Sequence, residues 1–535
     1  MTDTAQSRFD ELKKLKTLDK YVFMREKIAP YAEALRQFDR RTNSWERISY
    51  RELADRITAW RRAFSKLNLT RGDCVAILLP NGVDAVCCDM AALGNALVTV
   101  PLHAIDTAGS SAFILSDCQA KVLVTNRLNR WEAIQKAGID LPALETVIFT
   151  DDLVTPEENE QVVRYDKESF LATGFGVKRL PRGPVKDDPC SIVYTSGTTG
   201  KPKGVVLTHE NVVSNVLSTL RHVTAEPGDV FLSFLPVSHT FERMAGYYLP
   251  LGMGCTVVFN RSIQLLAEDF RIVRPNVIIS VPRIYERIFA KVQTKLSRAS
   301  GLTRFLFNWA VDVGWRKFCK KNGIACETSA ASFLDPIAGP VLQALVAKTL
   351  INQFGGRLRV AISGGAALNA KVARAFCGLG LPVIQGYGMT ECSPIIAGNS
   401  LSFNRPSTVG KPLPDVSVRL DPETHEIEVR AKSVMKEYFH RPEDTRETFT
   451  EDGWLKTGDV GKIDQDGFLS IVGRIKEIIV TSTGEKVPPS DLELAIEIDP
   501  LFDQAFVLGD NRPFIACMVV LNKDEWQKFA KSIGL

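Results

Sequence analysis

No Cys-x-x-Cys pair occurs anywhere in the chain, and its eleven cysteines are odd in number and scattered over 535 residues. That pattern excludes a disulfide-stapled secreted scaffold and a zinc or redox Cys-x-x-Cys centre, and it reads as buried thiols in a reducing cytoplasm. No stretch reaches the roughly 18 continuous apolar residues of a membrane span; residues 247–259 are apolar but short and interrupted. Residues 1–20 are polar and charged, without the apolar core and small-residue cleavage site of a secretory signal, so a cytoplasmic location is expected. Neither sign of charge dominates: Lys+Arg 66 against Asp+Glu 62 gives +4, too balanced to make nucleic acid the principal partner. It leaves room for mild attraction to anionic lipid, hence for peripheral contact with the inner membrane face. The six histidines do not cluster, and neither an internal repeat nor a low-complexity segment is present. A chain this long exceeds what one hydrophobic core usually serves, so more than one domain is expected.

Against these absences stands the run 194–204, Tyr-Thr-Ser-Gly-Thr-Thr-Gly-Lys-Pro-Lys-Gly. Its glycines let backbone N–H groups close around anionic oxygens. Thr195, Ser196, Thr198 and Thr199 supply hydroxyl donors, Gly197 and Gly200 supply the turn, and Lys201 and Lys203 supply charge. The residues therefore suit polyphosphate. A Gly-x-x-x-x-Gly-Lys-[Ser/Thr] spacing cannot be laid on them, which disfavours the commoner nucleoside-triphosphatase loop. A flexible surface loop between two apolar runs is the plain alternative.

Organisation follows from pattern. Ser49-Tyr-Arg-Glu52 is a capping box followed by Leu53, Ile57, Trp60 and Phe64 at helical spacing, so an amphipathic helix begins near Tyr50. Apolar runs at 74–79, 96–100, 122–125, 146–150, 230–235, 256–259, 277–281 and 358–362 alternate with helical stretches, which predicts a doubly wound α/β architecture. From about residue 406 prolines punctuate short strands such as 416–420 and 426–430, the texture of a β-rich subdomain. The turn 461–467 joins two strands, and Gly473-Arg474 reads as a hinge. The expected division is a large domain over 1–473 and a small, mobile α+β domain over 474–535.

Five further motifs follow in order: Leu-Pro-Val-Ser-His at 235–239, Ser-Gly-Gly-Ala at 363–366, Gly-Tyr-Gly-Met-Thr-Glu at 386–391, Trp-Leu-Lys-Thr-Gly-Asp at 454–459 and Gly-Arg-Ile-Lys at 473–476. With the phosphate loop they make the chain resemble the acyl-adenylate-forming (AMP-binding) superfamily over roughly residues 45–520, and within it the long-chain fatty acyl-CoA synthetases of bacterial type. The basic, helical segment 292–352, which includes Trp309 and Trp315, is similar to an insertion those synthetases carry. Its cations Lys317, Lys320 and Lys321, near Phe318, are a candidate membrane or CoA contact, with a solvated helix face as the alternative.

What the resemblance implies is a reaction between anions. A fatty acid carboxylate attacks the α-phosphorus of ATP, pyrophosphate leaves, and the acyl-AMP yields to CoA. At about 4 Å and an effective dielectric near 20 each unit-charge contact is worth roughly 4 kcal/mol, so cations are needed at that step. Lys201, Lys203 and Mg²⁺ are the available ones, with Glu391 and Thr198 implied as metal-side ligands and Thr390 on phosphate. By the same resemblance Tyr387, between Gly386 and Gly388, stacks on adenine; Asp459 accepts the ribose hydroxyls; Arg474 contacts ribose or phosphate; and Lys476 sits at the swing point. Gly364, Gly365 and Ala366 line the nucleotide and acyl pockets, where larger side chains would take the substrate's space. His239 orients the acyl group, with Phe241 a gate to an acyl tunnel; a packed core histidine is its alternative.

One departure stands out. Members of the superfamily close the site with a lysine in a Pro-x-x-x-x-Gly-Lys or Leu-Thr-x-Thr-x-Lys setting near the C-terminus. After Lys486 this sequence has Lys523, Lys528 and Lys531, none so placed. The small domain is therefore expected to be incomplete, and no C-terminal catalytic lysine is assigned. The reading is a long-chain fatty acid:CoA ligase that forms AMP. The alternatives are an acyl-AMP ligase delivering to a carrier protein, a ligase for aryl or short-chain acids, and a protein that binds ATP or acyl-adenylate without turnover.

Overall fold

Ser49 ends one element and starts the next. Its Oγ accepts from the Glu52 amide at 3.2 Å, and the Glu52 carboxylate accepts from the Ser49 amide at 2.7 Å, which launches the helix Tyr50–Phe64. Leu53, Ile57, Trp60 and Phe64 are all buried along it, and the Trp60 and Phe64 rings meet Phe170 at 5.6 and 5.5 Å. The expected pattern of alternating apolar strands and helices continues from there in the computed structural model, which describes residues 2–154, 161–195, 202–326, 335–477, 479–482, 485–487, 489–497, 499 and 501–534.

Two large sheets carry the molecule. From edge to edge the first runs Glu437–Tyr438, Lys203–Thr208, Pro189–Thr195, Val98–Pro101, Cys74–Leu78, Val122–Thr125, Thr146–Phe149 and Val163–Asp166. The second runs Lys411–Pro412, Ile395–Gly398, Val383–Gly388, Val360–Ser363, Val277–Ser280, Val230–Ser233, Thr256–Phe259, Glu33–Asp39 and Ser44–Ser49. Their centres are parallel, buried and rich in Val, Ile and Leu, as in sheets covered by helices on both faces. The first sheet stays parallel to its Val163–Asp166 edge, while toward the opposite edge Pro189–Thr195 pairs with Lys203–Thr208 as an antiparallel hairpin; in the second, Val383–Gly388 pairs antiparallel with Ile395–Gly398. Both antiparallel turns fall at candidate site motifs. The apolar stretch 247–259 resolves into the end of a π-helical turn, Glu242–Tyr248, a short helix Leu249–Met253 and the strand Thr256–Phe259.

The β-rich texture beyond residue 406 is a four-stranded antiparallel sheet of Ser417–Leu420, Glu426–Arg430, Leu455–Ile463 and Leu469–Arg474. Beyond it lie a small hairpin of Ile479–Val480 with Lys486–Val487, the hairpin Phe502–Leu508 with Ala516–Leu521, and the helix Lys523–Ser532.

Two expectations need correction. Nine of the eleven cysteines are buried, but Cys326 is half-buried and Cys517 exposed, because its strand lies in a two-stranded hairpin with nothing packed over that side chain. The 292–352 segment is helical where described, yet Phe318 is not a free anchor: it stacks on Trp315 at 5.3 Å and is half-buried. No helix among the described residues is long and apolar enough to cross a membrane.

Candidate active site

The phosphate-loop hairpin is described up to Thr195 and again from Pro202. Ser196, Gly197, Thr198, Thr199, Gly200 and Lys201 lie outside the described residues. The hairpin's flanks are firmly held. Tyr194 donates its hydroxyl to Asp117 at 2.6 Å, and Arg441 donates to the other oxygen of that carboxylate at 2.7 Å. A methyl at Gly204 would meet the Ile192 side chain at 2.7 Å and the Tyr194 ring at 3.0 Å, so the glycine lets the two strands close. Lys203 Nζ bonds Asp444 Oδ1 at 2.6 Å and lies 5.5 Å from the centroid of the Tyr438 ring. Its charge is thus held at the loop's exit by residues far along the chain.

Glu391 sits in the short turn Thr390–Cys392, 7% exposed. Tyr438 donates to its Oε1 at 2.7 Å. Burial, and next the nearby Glu391 charge, push the Tyr438 phenol well up, so it stays a donor at any working pH. Thr390 Oγ1 lies 3.3 Å from Thr240 Oγ1, which joins this turn to the one bearing His239. A buried carboxylate with one oxygen held and lone pairs left over suits a hard divalent cation that takes its remaining ligands from phosphate and water. Among the described residues no cluster of three or more His, Cys, Asp or Glu could hold a metal unaided.

Tyr387 and Asp459 meet directly. The phenol donates to Asp459 Oδ2 at 2.6 Å, and Arg474 Nε donates to Oδ1 at 3.1 Å. Burial, then Asp459 itself, hold the phenol well above its ordinary range. The carboxylate keeps lone pairs for further donors. Arg474 is exposed and ends its strand; Lys476 is exposed just beyond. Gly388 has a local reason to be glycine: a methyl there would lie 1.9 Å from the Pro394 carbonyl oxygen. The hairpin itself requires that residue, whereas Gly386 makes ordinary contact with the Ala397 carbonyl at 3.5 Å.

The His239 side of the candidate site is built on a turn. Asn81 donates to the Leu235 carbonyl at 2.6 Å and accepts from the Val237 amide at 2.9 Å, fixing 235–237. His239 is exposed, and its Nδ1 accepts from the Phe241 amide at 3.3 Å. Crowding by the surrounding walls, then His103, push its pKa down, so it is neutral near pH 7. Phe241 lies against Gly364, where an added methyl would come within 3.0 Å of the ring. Gly365 has φ +84°, a left-handed conformation that favours glycine, and Ala366 is exposed beside it. A small cavity of about 20 Å³, lined by Leu79, Leu102, Val237, Ser238, Arg243 and Tyr247, borders the same turn.

Two buried features here escaped the sequence reading. Asp89, on the helix Val83–Gly94 whose one other charged residue is Asp84 in its first turn, accepts from Arg243, from Tyr247 at 2.9 Å and from Tyr248 at 3.0 Å; Arg243 also donates to Thr99 at 2.8 Å. The available signal was an acid in the middle of an apolar stretch, five residues past Asp84 at the helix start. The second is Glu242, 1% exposed, with neither carboxyl oxygen hydrogen-bonded by distance and angle and the Ser233 hydroxyl, itself engaged by Asn81, nearby. Burial pushes its pKa up to about 8, so it is largely protonated at pH 7. A raised native pKa means stability that is complete below the unfolded value near 4.5 and is lost as pH rises through about 8. Glu242→Gln is therefore expected to gain on the native chain by a few kcal/mol between pH 5 and pH 9, since each tenfold change in proton affinity is worth about 1.4 kcal/mol. Urea unfolding midpoints at those two pH values decide it; parallel curves for the two proteins would refute the neutral buried acid.

Two mixed sheets, an antiparallel phosphate-loop hairpin and a Tyr387–Asp459–Arg474 cluster beside a buried glutamate are the architecture of an adenylate-forming enzyme. The chain belongs to the AMP-binding enzyme family, whose model matches residues 25–439, and a model of the AMP-binding enzyme C-terminal domain matches 476–533. It is 31% identical over 491 residues to the long-chain-fatty-acid–CoA ligase FadD15 of Mycobacterium bovis, covering 90% of this chain and 78% of the relative. It is 32% identical over 381 residues to the long-chain-fatty-acid–[acyl-carrier-protein] ligase AEE15, chloroplastic, of Arabidopsis thaliana, covering 64% and 52%. Among solved structures, ATP-bound MatB from Rhodopseudomonas palustris superposes with a TM-score of 0.71 at 25% identity, covering 95% of this chain and 89% of MatB.

Proposed function

We propose that this protein activates a long-chain fatty acid with ATP through an acyl-AMP intermediate and transfers the acyl group to CoA, releasing AMP and pyrophosphate. The observation that carries the reading is the Thr240–Thr390 contact, which joins the His239 turn, with Phe241 against Gly364, to the turn bearing Glu391. Groups bound at these two turns would thereby meet at neighbouring residues. The relative from Mycobacterium bovis, which bears the name of a long-chain ligase, supports the acid and the acceptor.

In this reading Asp459 accepts the ribose hydroxyls, with Tyr387 and Arg474 fixing its orientation. Tyr387 also presents its ring to the adenine. Neutral His239 orients the carboxylate without repelling it or taking its charge. Lys201, Lys203 and the hydroxyls of Thr195, Ser196, Thr198 and Thr199 hold the phosphates, with Thr390 on the α-phosphate. Glu391 and Thr198 would hold Mg²⁺, which neutralises charge on the leaving pyrophosphate. Residues 474–535, with Lys476 at their start, form the smaller domain that closes over the large one.

A second reading, delivery to a carrier protein, is supported by the Arabidopsis relative named as an acyl-carrier-protein ligase. The test is release of AMP and pyrophosphate, with and without CoA, across acids from acetate to oleate and with benzoate. Acyl-CoA formed with long acids alone bears out the proposal, and turnover that requires a carrier protein selects the second reading. ATP binding with no pyrophosphate release under any condition overturns both.

A further inference from the structure

The thirty residues 282–311 carry six cations, Arg283, Arg287, Lys291, Lys295, Arg298 and Arg304, against one acid, Glu286. Six minus one is +5, while the whole chain is +4, so the remaining residues net −1. This concentration is arranged in space. Arg283, Arg287, Lys291 and Lys295 recur every four residues on the helix Pro282–Ser297, all exposed, in a stripe about 18 Å long at 1.5 Å per residue. Arg298 and Arg304 continue it around the turn into the helix Gly301–Asn322, and both are exposed. None of the six makes an ion pair among the described residues. Glu286 is half-buried, and burial followed by the neighbouring Glu497 raises its pKa while Arg283 opposes that rise.

At the same turn two large apolar side chains stand in solvent. Leu302 is 68% and Phe305 60% exposed, three residues apart on the first turns of the second helix, while Leu306 and Phe307 face inward. Unpaired cations alone would suit any polyanion. Cations around a projecting Leu and Phe suit a surface that is anionic outside and apolar a few ångströms beneath, where the side chains bury their area and the arginines and lysines stay at headgroup level.

We propose that the hairpin tip formed by the end of helix Pro282–Ser297 and the start of helix Gly301–Asn322 docks on an anionic lipid bilayer, with Leu302 and Phe305 inserted and the six-cation stripe on the headgroups. This goes beyond the ligase reading and moves the membrane-facing surface away from Lys317, Lys320 and Lys321, which are also exposed cations but have the half-buried Phe318 against Trp315, whereas Phe305 stays mostly exposed although its ring lies 5.8 Å from Trp309.

The experiment is cosedimentation of the full chain with vesicles of phosphatidylcholine alone and of phosphatidylcholine with an equal share of phosphatidylglycerol, at 0.1 M salt. The native protein is expected to bind the anionic vesicles and not the neutral ones, and to dissociate as salt is raised. Lys291→Glu/Lys295→Glu/Arg298→Glu is expected to weaken binding at least ~100-fold, since each juxtamembrane cation contributes about a factor of five. Leu302→Ser/Phe305→Ser is expected to weaken it about tenfold or more with every charge retained. The charge-matched variant Lys317→Glu/Lys320→Glu/Lys321→Glu is expected to bind within threefold of native. Circular dichroism of each variant checks that these exposed substitutions leave the fold intact. No binding to anionic vesicles, equal loss in the two charge-reversal variants, or undiminished binding by the Leu302/Phe305 variant would each overturn the proposal; the last would assign the stripe to a soluble polyanion or a protein.

Discussion

Glu391→Gln is expected to slow fatty-acid-dependent pyrophosphate exchange by at least ~100-fold, with ATP binding in the absence of metal nearly unchanged. Glutamine keeps the size of the side chain and an oxygen for the Tyr438 hydroxyl, which now bonds Glu391 at 2.7 Å, so the turn Thr390–Cys392 should retain its shape. What is removed is one negative charge in a pocket where the group is 7% exposed. A divalent cation loses a hard anionic ligand there, and removal of one charge-stabilising contact from a transition state costs roughly 100- to 1,000-fold. Exchange measured across a Mg²⁺ titration checks this. A rate within tenfold of native at saturating metal would remove Glu391 from the chemistry and leave it as a brace for Tyr438.

The second large effect is on the fold. Asp89→Ala is expected to cost about 3–5 kcal/mol of stability, because it strands the Arg243 guanidinium, 5% exposed, in the interior and leaves two tyrosine hydroxyls without their acceptor. Asp89→Leu/Arg243→Met, which removes both charges, is expected to recover most of that loss. The comparison separates the cost of an unpaired buried charge from the worth of the pair itself. Urea denaturation of the three proteins decides it, and a single variant within 1 kcal/mol of native would show that water reaches Arg243. Since Arg243 follows His239 by one turn and its amide donates to the His239 carbonyl at 3.0 Å, the same substitution should also raise KM for the acid.

These two cases mark what the sequence could and could not tell. The capping box at Ser49, the buried strands and the β-rich texture beyond residue 406 were legible because each is a local pattern, set by neighbours along the chain. The hairpin return of Lys203–Thr208 was not, since the apolar run there fits a parallel or an antiparallel strand equally. With that direction unknown, Tyr438, Asp444 and Asp117 could not be placed beside the loop, although they lie within hydrogen-bond reach of Glu391, Lys203 and Tyr194. Gly388 shows a constraint of the same kind: the Pro394 carbonyl, brought there by the hairpin, already occupies the space a methyl would need. Sequence motifs name candidate site residues but not their immediate partners, since partners are chosen by strand order and not by spacing.

The two-residue strand Glu437–Tyr438 is the seam where this choice is made. It pairs with Val205 and Val206 at the edge of the first sheet, flanked by bonds from the Lys436 amide to the Val206 carbonyl at 3.0 Å and from the Phe439 amide to the Gly204 carbonyl at 2.7 Å. Tyr438 on that strand holds Glu391, and its ring faces Lys203. Mechanically it is a short rivet between the hairpin of Pro189–Thr195 with Lys203–Thr208 and the Glu391 carboxylate. Any tug on the loop is transmitted to Glu391 across a handful of backbone hydrogen bonds, so the two can be expected to move in step and to fall out of step together.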